Sequence, residues 1–262
     1  MSAIILRDEI VHYEVLGRGR PVFFLHDWVG SWRYWIPSMQ SASILFRAYA
    51  FDLWGFGDTG KNPGYYSVEQ QNGLLEEFIE TMGIGKVALV GHGLGAVVAM
   101  LYARRHPGMV DRLMALGLPL AEESINPRLC MNSPAELADW LLGRSTTGEA
   151  AYVDAPKADP KAILLSVTSL QGIDLSSLPF KTNTPCLLVH GGSDPVIEAP
   201  NSHHISRLPE HAHFILFEGS GHFPMLDQPA KFNRLLMDFL SLMSGISPRQ
   251  LQLKEEWKRR VR

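Results

Sequence analysis

Apolar and polar positions along this 262-residue chain alternate between two kinds of segment. Short runs rich in β-branched and aromatic residues read as strands: Ala3 to Leu6, Glu9 to Leu16, Pro21 to Leu25, Arg47 to Asp52, Lys86 to about His92, Val110 to Leu116, Thr184 to about Gly191 and Ala212 to Phe217. Between them lie segments of helical period. Leu74, Leu75, Phe78, Ile79 and Met82 share one face of a helix that stops at Gly83. Ser67 and Gln70 have the spacing of a capping box at its start. Phe232, Leu235, Leu236, Phe239 and Leu240 line a final packing helix. The first two strands predict an edge hairpin, and the remaining alternation of strand and helix predicts a mostly parallel sheet covered on both faces.

The segment Lys86-Val-Ala-Leu-Val-Gly-His-Gly-Leu-Gly-Ala-Val-Val-Ala-Met-Leu-Tyr-Ala-Arg-Arg105 is the sharpest local signal. A buried strand passes through three glycines directly into an apolar helix. Such a turn exposes its central residue at the carboxyl edge of the sheet, beside the unpaired N–H groups of the helix. The central residue here is Gly93, flanked by Gly91 and Gly95.

Gly91-His92-Gly93-Leu94-Gly95 resembles the nucleophile elbow of the α/β-hydrolase superfamily, which includes esterases, lipases, epoxide hydrolases and haloalkane dehalogenases. The nucleophilic side chain is missing. Three further stretches carry the resemblance: His26-Asp27-Trp28 after the third strand, Ser193-Asp194-Pro195 after the seventh, and Gly221-His222-Phe223 after the eighth. The resemblance spans about Pro21 to Leu240 and implies an α/β-hydrolase fold with an eight-stranded, mostly parallel sheet. It further implies His222 and Asp194 as a catalytic pair, the backbone N–H groups of Trp28 and Leu94 as an oxyanion hole, and Gly93 as a vacant nucleophile position. His26, Asp27, His92 and Phe223 are candidates for the surrounding pocket. Asp52 fits a bracing role in the loop that runs to Gly60.

Asp27 stands where the family commonly has glycine. Its side chain is expected to point outward or to cap the helix beginning near Ser31, because an inward carboxylate would oppose developing negative charge. As a replacement nucleophile Asp27 is disfavoured, since its stem should point differently from the residue at the elbow. Ser193 and Cys130 are equally poor substitutes. Removing a serine side chain at position 93 is expected to leave a polar space for water beside His222.

The core is expected at residues 1–118 and 179–262. Residues 119–178 read as a cap insertion of sparse regular structure, forming a small, mobile lid, with one helix starting at Ser133-Pro134 and ending near Gly143 and another around Ala162 to Leu170. The tail after Gly245, basic at its end, reads as a solvated surface segment.

Composition narrows the function classes. With 46% hydrophobic and 19% charged residues and a formal net charge of -3, the chain is neither disordered nor suited to nucleic acid or an anionic membrane surface. No apolar run suggests a membrane span. The N-terminal residues do not resemble a secretory signal, and two cysteines make no disulfide scaffold, so a cytoplasmic protein is expected. His203-His204 and His211-x-His213 fit surface residues better than metal ligands, and the glycines spell no nucleotide loop; neither cofactor nor metal is expected. Trp28, Trp32, Trp35, Trp54 and Phe223 suggest an aromatic pocket for a neutral, moderately hydrophobic small molecule, in a monomer or homodimer. The expected function is an ester or amide hydrolase of serine type lacking its nucleophile, whether by nature or by engineering. Its alternatives are a ligand-binding pseudoenzyme and an enzyme using histidine-activated water or proton transfer without a covalent intermediate.

Overall fold

A computed structural model describes residues 2–142 and 148–253. The expected helix end near Gly143 and the basic tail beyond Leu253 lie outside the described residues. Eight strands form one sheet in the order β1-β2-β4-β3-β5-β6-β7-β8. Strands β1 (Ser2–Leu6) and β2 (Glu9–Leu16) form the antiparallel edge. Strands β3 (Arg20–Leu25), β4 (Phe46–Phe51), β5 (Val87–His92), β6 (Val110–Leu116), β7 (Cys186–Gly191) and β8 (Ala212–Phe217) run parallel. Their inner positions are Val, Leu, Phe and Ala with almost no solvent exposure, as required of strands covered on both faces.

Helices α1 (Ile36–Ala42), α2 (Val68–Thr81) and α3 (Leu94–Arg105) follow β3, β4 and β5. The Ser67 hydroxyl accepts the Gln70 N–H at 3.3 Å, which caps α2. The reciprocal half of the expected box is absent, because the Gln70 side chain instead accepts from Arg7. Helix α3 is buried nearly all round and lies on the sheet through close glycine contacts: a Cβ on Gly91 or Gly95 would overlap backbone of α3 or β3.

Between β6 and β7 lie α4 (Arg128–Met131), α5 (Pro134–Leu142), α6 (Glu149–Asp154) and α7 (Pro160–Thr168). This segment holds more regular structure than its composition suggests, and it is tied to the loops above the sheet. Asp154, nearly fully buried, accepts from Ser31 Oγ at 2.6 Å and Arg33 Nε at 2.8 Å. Trp28 Nε1 donates to Ser166 Oγ at 2.9 Å, and Tyr66 Oη donates to Asp159 at 2.8 Å. Helices α8 (Ser202–Ser206), α9 (Pro224–Asp227) and α10 (Pro229–Leu240) complete the fold, α10 packing its apolar stripe on the core. No helix among the described residues is long and apolar enough to cross a membrane.

Asp154→Ala removes the acceptor of two bonds that join α6 to the loop after β3. Loss of about 1–3 kcal/mol of stability in urea unfolding is expected, together with faster hydrogen exchange in α6 and α7. An unchanged midpoint and unchanged exchange would show that apolar packing alone holds the segment.

Candidate active site

Four loops at the carboxyl edge of the sheet meet around one side chain, Asp27. Directly after β3 the chain turns inward, and the Asp27 carboxylate is fully buried. Its Oδ1 accepts the Leu94 N–H at 3.1 Å and its Oδ2 the Val29 N–H at 3.4 Å, and the adjacent Trp28 backbone further favours the ionised carboxylate. The Leu94 N–H, one of the two donors expected in an oxyanion hole, is therefore already occupied by a carboxylate of the protein itself. The outward orientation expected for Asp27 is incorrect. Ser31 caps its own helical turn instead, accepting from Arg33 N–H at 3.2 Å.

The physical reason lies at position 93. Gly93 has φ +47°, which disfavours residues bearing a Cβ. A Cβ built there would overlap Asp27 Oδ1 and lie 2.5 Å from Asp27 Cγ. The space expected to hold a water is thus occupied by the Asp27 carboxylate. Gly93 offers α3 no side-chain cap, and Asp27 supplies a negative group to the first turn of that helix from another loop.

The other carboxylate oxygen of Asp27 meets the histidine. His222 Nε2 lies 2.9 Å from Asp27 Oδ2, and His222 Nδ1 lies 2.9 and 3.0 Å from the two oxygens of Asp194. Burial by itself would depress the His222 pKa, but Asp194 and Asp27 outweigh it and raise the pKa to about 10. Burial likewise opposes ionisation of both carboxylates. For each the positive His222 prevails and holds the pKa below its ordinary value, aided by N–H donors. At neutral pH the three groups form a carboxylate–imidazolium–carboxylate array. Asp194 Oδ1 also accepts from Val196 and Ile197 N–H at 2.8 and 3.1 Å, which fixes its rotamer.

The remaining candidates surround this array in different roles. His26 is buried behind the loop, where Nδ1–H donates to the Asp27 carbonyl at 2.7 Å and Nε2 accepts the Leu53 N–H at 2.9 Å; burial holds it neutral. His92 Nε2–H donates to the His222 carbonyl at 2.8 Å, while its Nδ1 faces Tyr34 Oη at 3.2 Å. Burial and the neighbouring His222 charge lower the His92 pKa to about 4. Phe223 sets its ring edge-on to His92, His222 and Tyr34. Trp32, Trp35 and Trp54 are core residues, packed against His12, Phe24 and Tyr65 respectively. Asp52 accepts from Trp32 and Asp58 N–H and faces His12 at 3.1 Å, a bracing arrangement. Tyr34, six residues beyond His26-Asp27-Trp28, is a contact that the motif spacing does not mark; its signal is an aromatic hydroxyl seven residues past a carboxylate.

Asp27, His92 and His222 place potential metal-binding atoms within 4.8 Å of one another. Each of those atoms already has a protein partner of matching polarity, so the donor set fits an internal hydrogen-bond network. Both cysteines are free: Cys186 is buried in β7, where burial pushes its pKa up to about 12, and Cys130 is half-buried on α4.

This arrangement of strands, elbow, acid and histidine defines a hydrolase-type fold. The chain belongs to the alpha/beta hydrolase family, whose model matches residues 22–235. It is 24% identical to a putative carbamate hydrolase, RutD, of Stutzerimonas stutzeri over 90% of this chain and 98% of that protein. It is 24% identical to 2-hydroxy-6-oxo-6-(2'-aminophenyl)hexa-2,4-dienoic acid hydrolase of Metapseudomonas resinovorans, covering 90% of this chain and 89% of that protein. Among solved structures, the enol-lactonase of Burkholderia xenovorans superimposes with a TM-score of 0.80 at 17% identity, over 92% of this chain and all of the other. A hydrolase of Pseudomonas aeruginosa gives a TM-score of 0.80 at 18% identity, over 92% and 98%.

Two outcomes follow from the array. Gly93→Ser alone is expected to destabilise the fold by about 3 kcal/mol, through overlap with Asp27 and a strained φ. Combining it with Asp27→Gly removes the overlap and restores much of the loss, as read by urea unfolding. If the single variant is as stable as the parent, the two positions do not share space in solution.

The pH dependence of stability has a defined sign. His222 is raised from 6.5 to about 10, so its contribution is complete below pH 6.5 and is lost as pH rises toward 10. Asp27 and Asp194 are lowered from 3.8, so theirs is present above that pH and lost in stronger acid. Calorimetry across pH 3 to 10 is expected to give the highest Tm between about 4 and 6.5 and a decline on the alkaline side. An Asp27→Asn variant should decline less there, because its His222 starts from a lower pKa.

Proposed function

We propose that this member of the alpha/beta hydrolase family is a hydrolase whose nucleophile is the Asp27 carboxylate, delivered from the loop after β3 in place of a side chain at the elbow. The observation that carries this reading is the double engagement of Asp27: Oδ2 stands 2.9 Å from His222 Nε2 while Oδ1 takes the Leu94 N–H. A nucleophile–histidine–acid series is thereby completed without serine. The substrate class is a neutral, moderately apolar small molecule with a strained carbon–oxygen bond at a saturated carbon, as in an epoxide.

Proton balance favours an oxygen leaving group. Asp27 Oδ2 attacks the carbon, the carbon–oxygen bond breaks, and the departing oxygen keeps the electron pair and takes the proton from His222 Nε2. The result is an ester on Asp27 and a neutral His222. Esterification has removed one of the two charges that hold the imidazole protonated, so His222 can accept a proton from water. The resulting hydroxide attacks Asp27 Cγ. Charge then develops on Oδ1, where the Leu94 N–H already points, and collapse expels the alcohol oxygen as an alkoxide, which takes a proton from the new Asp27 carboxylic acid and leaves Asp27 ionised and His222 protonated as at the start. A halide would leave without taking the proton, so His222 would first have to release its proton to solvent before it could act as base. Asp27 is fully buried, so the segments that cover it must move for a substrate to reach Oδ2.

Single-turnover hydrolysis of a panel of aliphatic and aryl epoxides in ¹⁸O water tests the reading. Label is expected in the peptide containing Asp27 and in none containing Asp194, and Asp27→Asn is expected to lower turnover by about 10³ or more. A second reading, a ligand-binding protein without turnover, is favoured by the internal pairing of both Asp27 oxygens and both His222 nitrogens. Saturable epoxide or ester binding with neither turnover nor label would select it and overturn the nucleophile assignment.

A further inference from the structure

Tyr34 follows the signature loop, and its phenol is fully buried, its ring lying against Gly30. Its oxygen accepts the backbone N–H of Asp27 at 2.8 Å and faces His92 Nδ1 at 3.2 Å. His92 in turn donates from Nε2 to the backbone carbonyl of His222 at 2.8 Å. The direction of every bond in this series follows from its ends. A carbonyl can only accept, so the His92 proton resides on Nε2 and Nδ1 carries a lone pair. Tyr34 must then donate its proton to Nδ1, which leaves its oxygen lone pair for the Asp27 N–H. The neutral state of His92 is consistent with that order, since an imidazolium would present a proton to the phenol from Nδ1.

We propose that Tyr34 and His92 are positioning residues that join the backbone of Asp27 to the backbone of His222, holding the carboxylate and the imidazole at reacting distance. Neither side chain touches the reacting atoms in this scheme. The catalytic meaning of the series rests on Asp27 being the nucleophile, whereas its geometric consequence, a fixed Asp27–His222 ion pair, does not. The phenol bonds the loop after β3 to the elbow, alongside the Leu94 N–H bond to Asp27 Oδ1 and the Gly95 N–H bond to the His26 carbonyl. Without it, the Asp27 N–H and His92 Nδ1 would both be buried without a partner, and the loop could relieve this only by moving Asp27 away from His222.

Titration of the His222 imidazole by NMR reads this distance directly, in the full chain and without a substrate. The groups that set the midpoint are Asp194 and Asp27 at hydrogen-bond distance, the neutral His92 with its ring tilted at 4.6 Å, and Asp227 and the buried His190 further out. Tyr34→Phe leaves all of these in the chain, and is expected to lower the midpoint by about one unit or more as Asp27 withdraws. In an Asp27→Asn background the same substitution is expected to leave the midpoint unchanged. His92→Gln, whose amide can accept from Tyr34 and donate to the His222 carbonyl, is expected to retain the parental midpoint, whereas His92→Leu lowers it. A folded Tyr34→Phe with an unmoved midpoint, or an equal fall in the Asp27→Asn background, overturns the proposal. If Tyr34→Phe does not fold, the His92 pair decides it: equal midpoints for Gln and Leu overturn it. Absence of ¹⁸O label at Asp27 with the expected titrations removes the nucleophile reading and leaves the positioning series standing.

Discussion

The buried ion pair between Asp27 and His222 is the constraint to which the carboxyl edge of this molecule is fitted. Two ions taken out of water are costly, and their attraction offsets the cost only when the remaining hydrogen-bonding capacity is also filled. Here it is. The backbone N–H groups of Leu94 and Val29 complete Asp27, Asp194 completes His222, and Val196 and Ile197 N–H complete Asp194. The glycine at position 93, the inward turn after β3 and the positive end of α3 all serve the same carboxylate.

This electrostatic arrangement differs from that of a serine-based site, where a neutral hydroxyl faces a neutral imidazole. With carboxylates on both ring nitrogens, His222 begins as an acid. In the proposed reaction it becomes a base only when Asp27 loses its charge by esterification, so the second step would be timed by the covalent state of Asp27. The inserted helices contribute to that environment by covering it: Trp28, Ser31 and Arg33, all in or beside the loop carrying Asp27, are bonded to residues of α6 and α7.

Most of the scaffold was legible in the sequence because the signals are local. Eight apolar runs became eight strands, and glycines at 91, 93 and 95 marked the turn from β5 into α3. Asp194 and His222 stand at strand ends that the motif spacing locates. The direction of Asp27 was not legible from its own loop, since one residue beyond a strand end is aimed by local backbone angles. The information lay instead in a coincidence of two departures, an added carboxylate at 27 and a lost side chain at 93, in loops that parallel pairing of β3 and β5 brings together. Neither departure by itself marks the space that the two share. The Tyr34–His92 series depends on hydrogen-bond directions and left no pattern in spacing.

The overlap between a Cβ at position 93 and the Asp27 carboxylate also restricts how this chain can change. Adding a side chain at 93 first crowds the site, and shortening Asp27 first strips His222 of a counter-ion and leaves two inward N–H groups facing a void. Both one-step routes toward an ordinary elbow pass through a poorly packed intermediate. A lineage that reached this pair is therefore held there by a valley on either side, and its descendants are freer to vary the surrounding loops and inserted helices than the two residues at the centre.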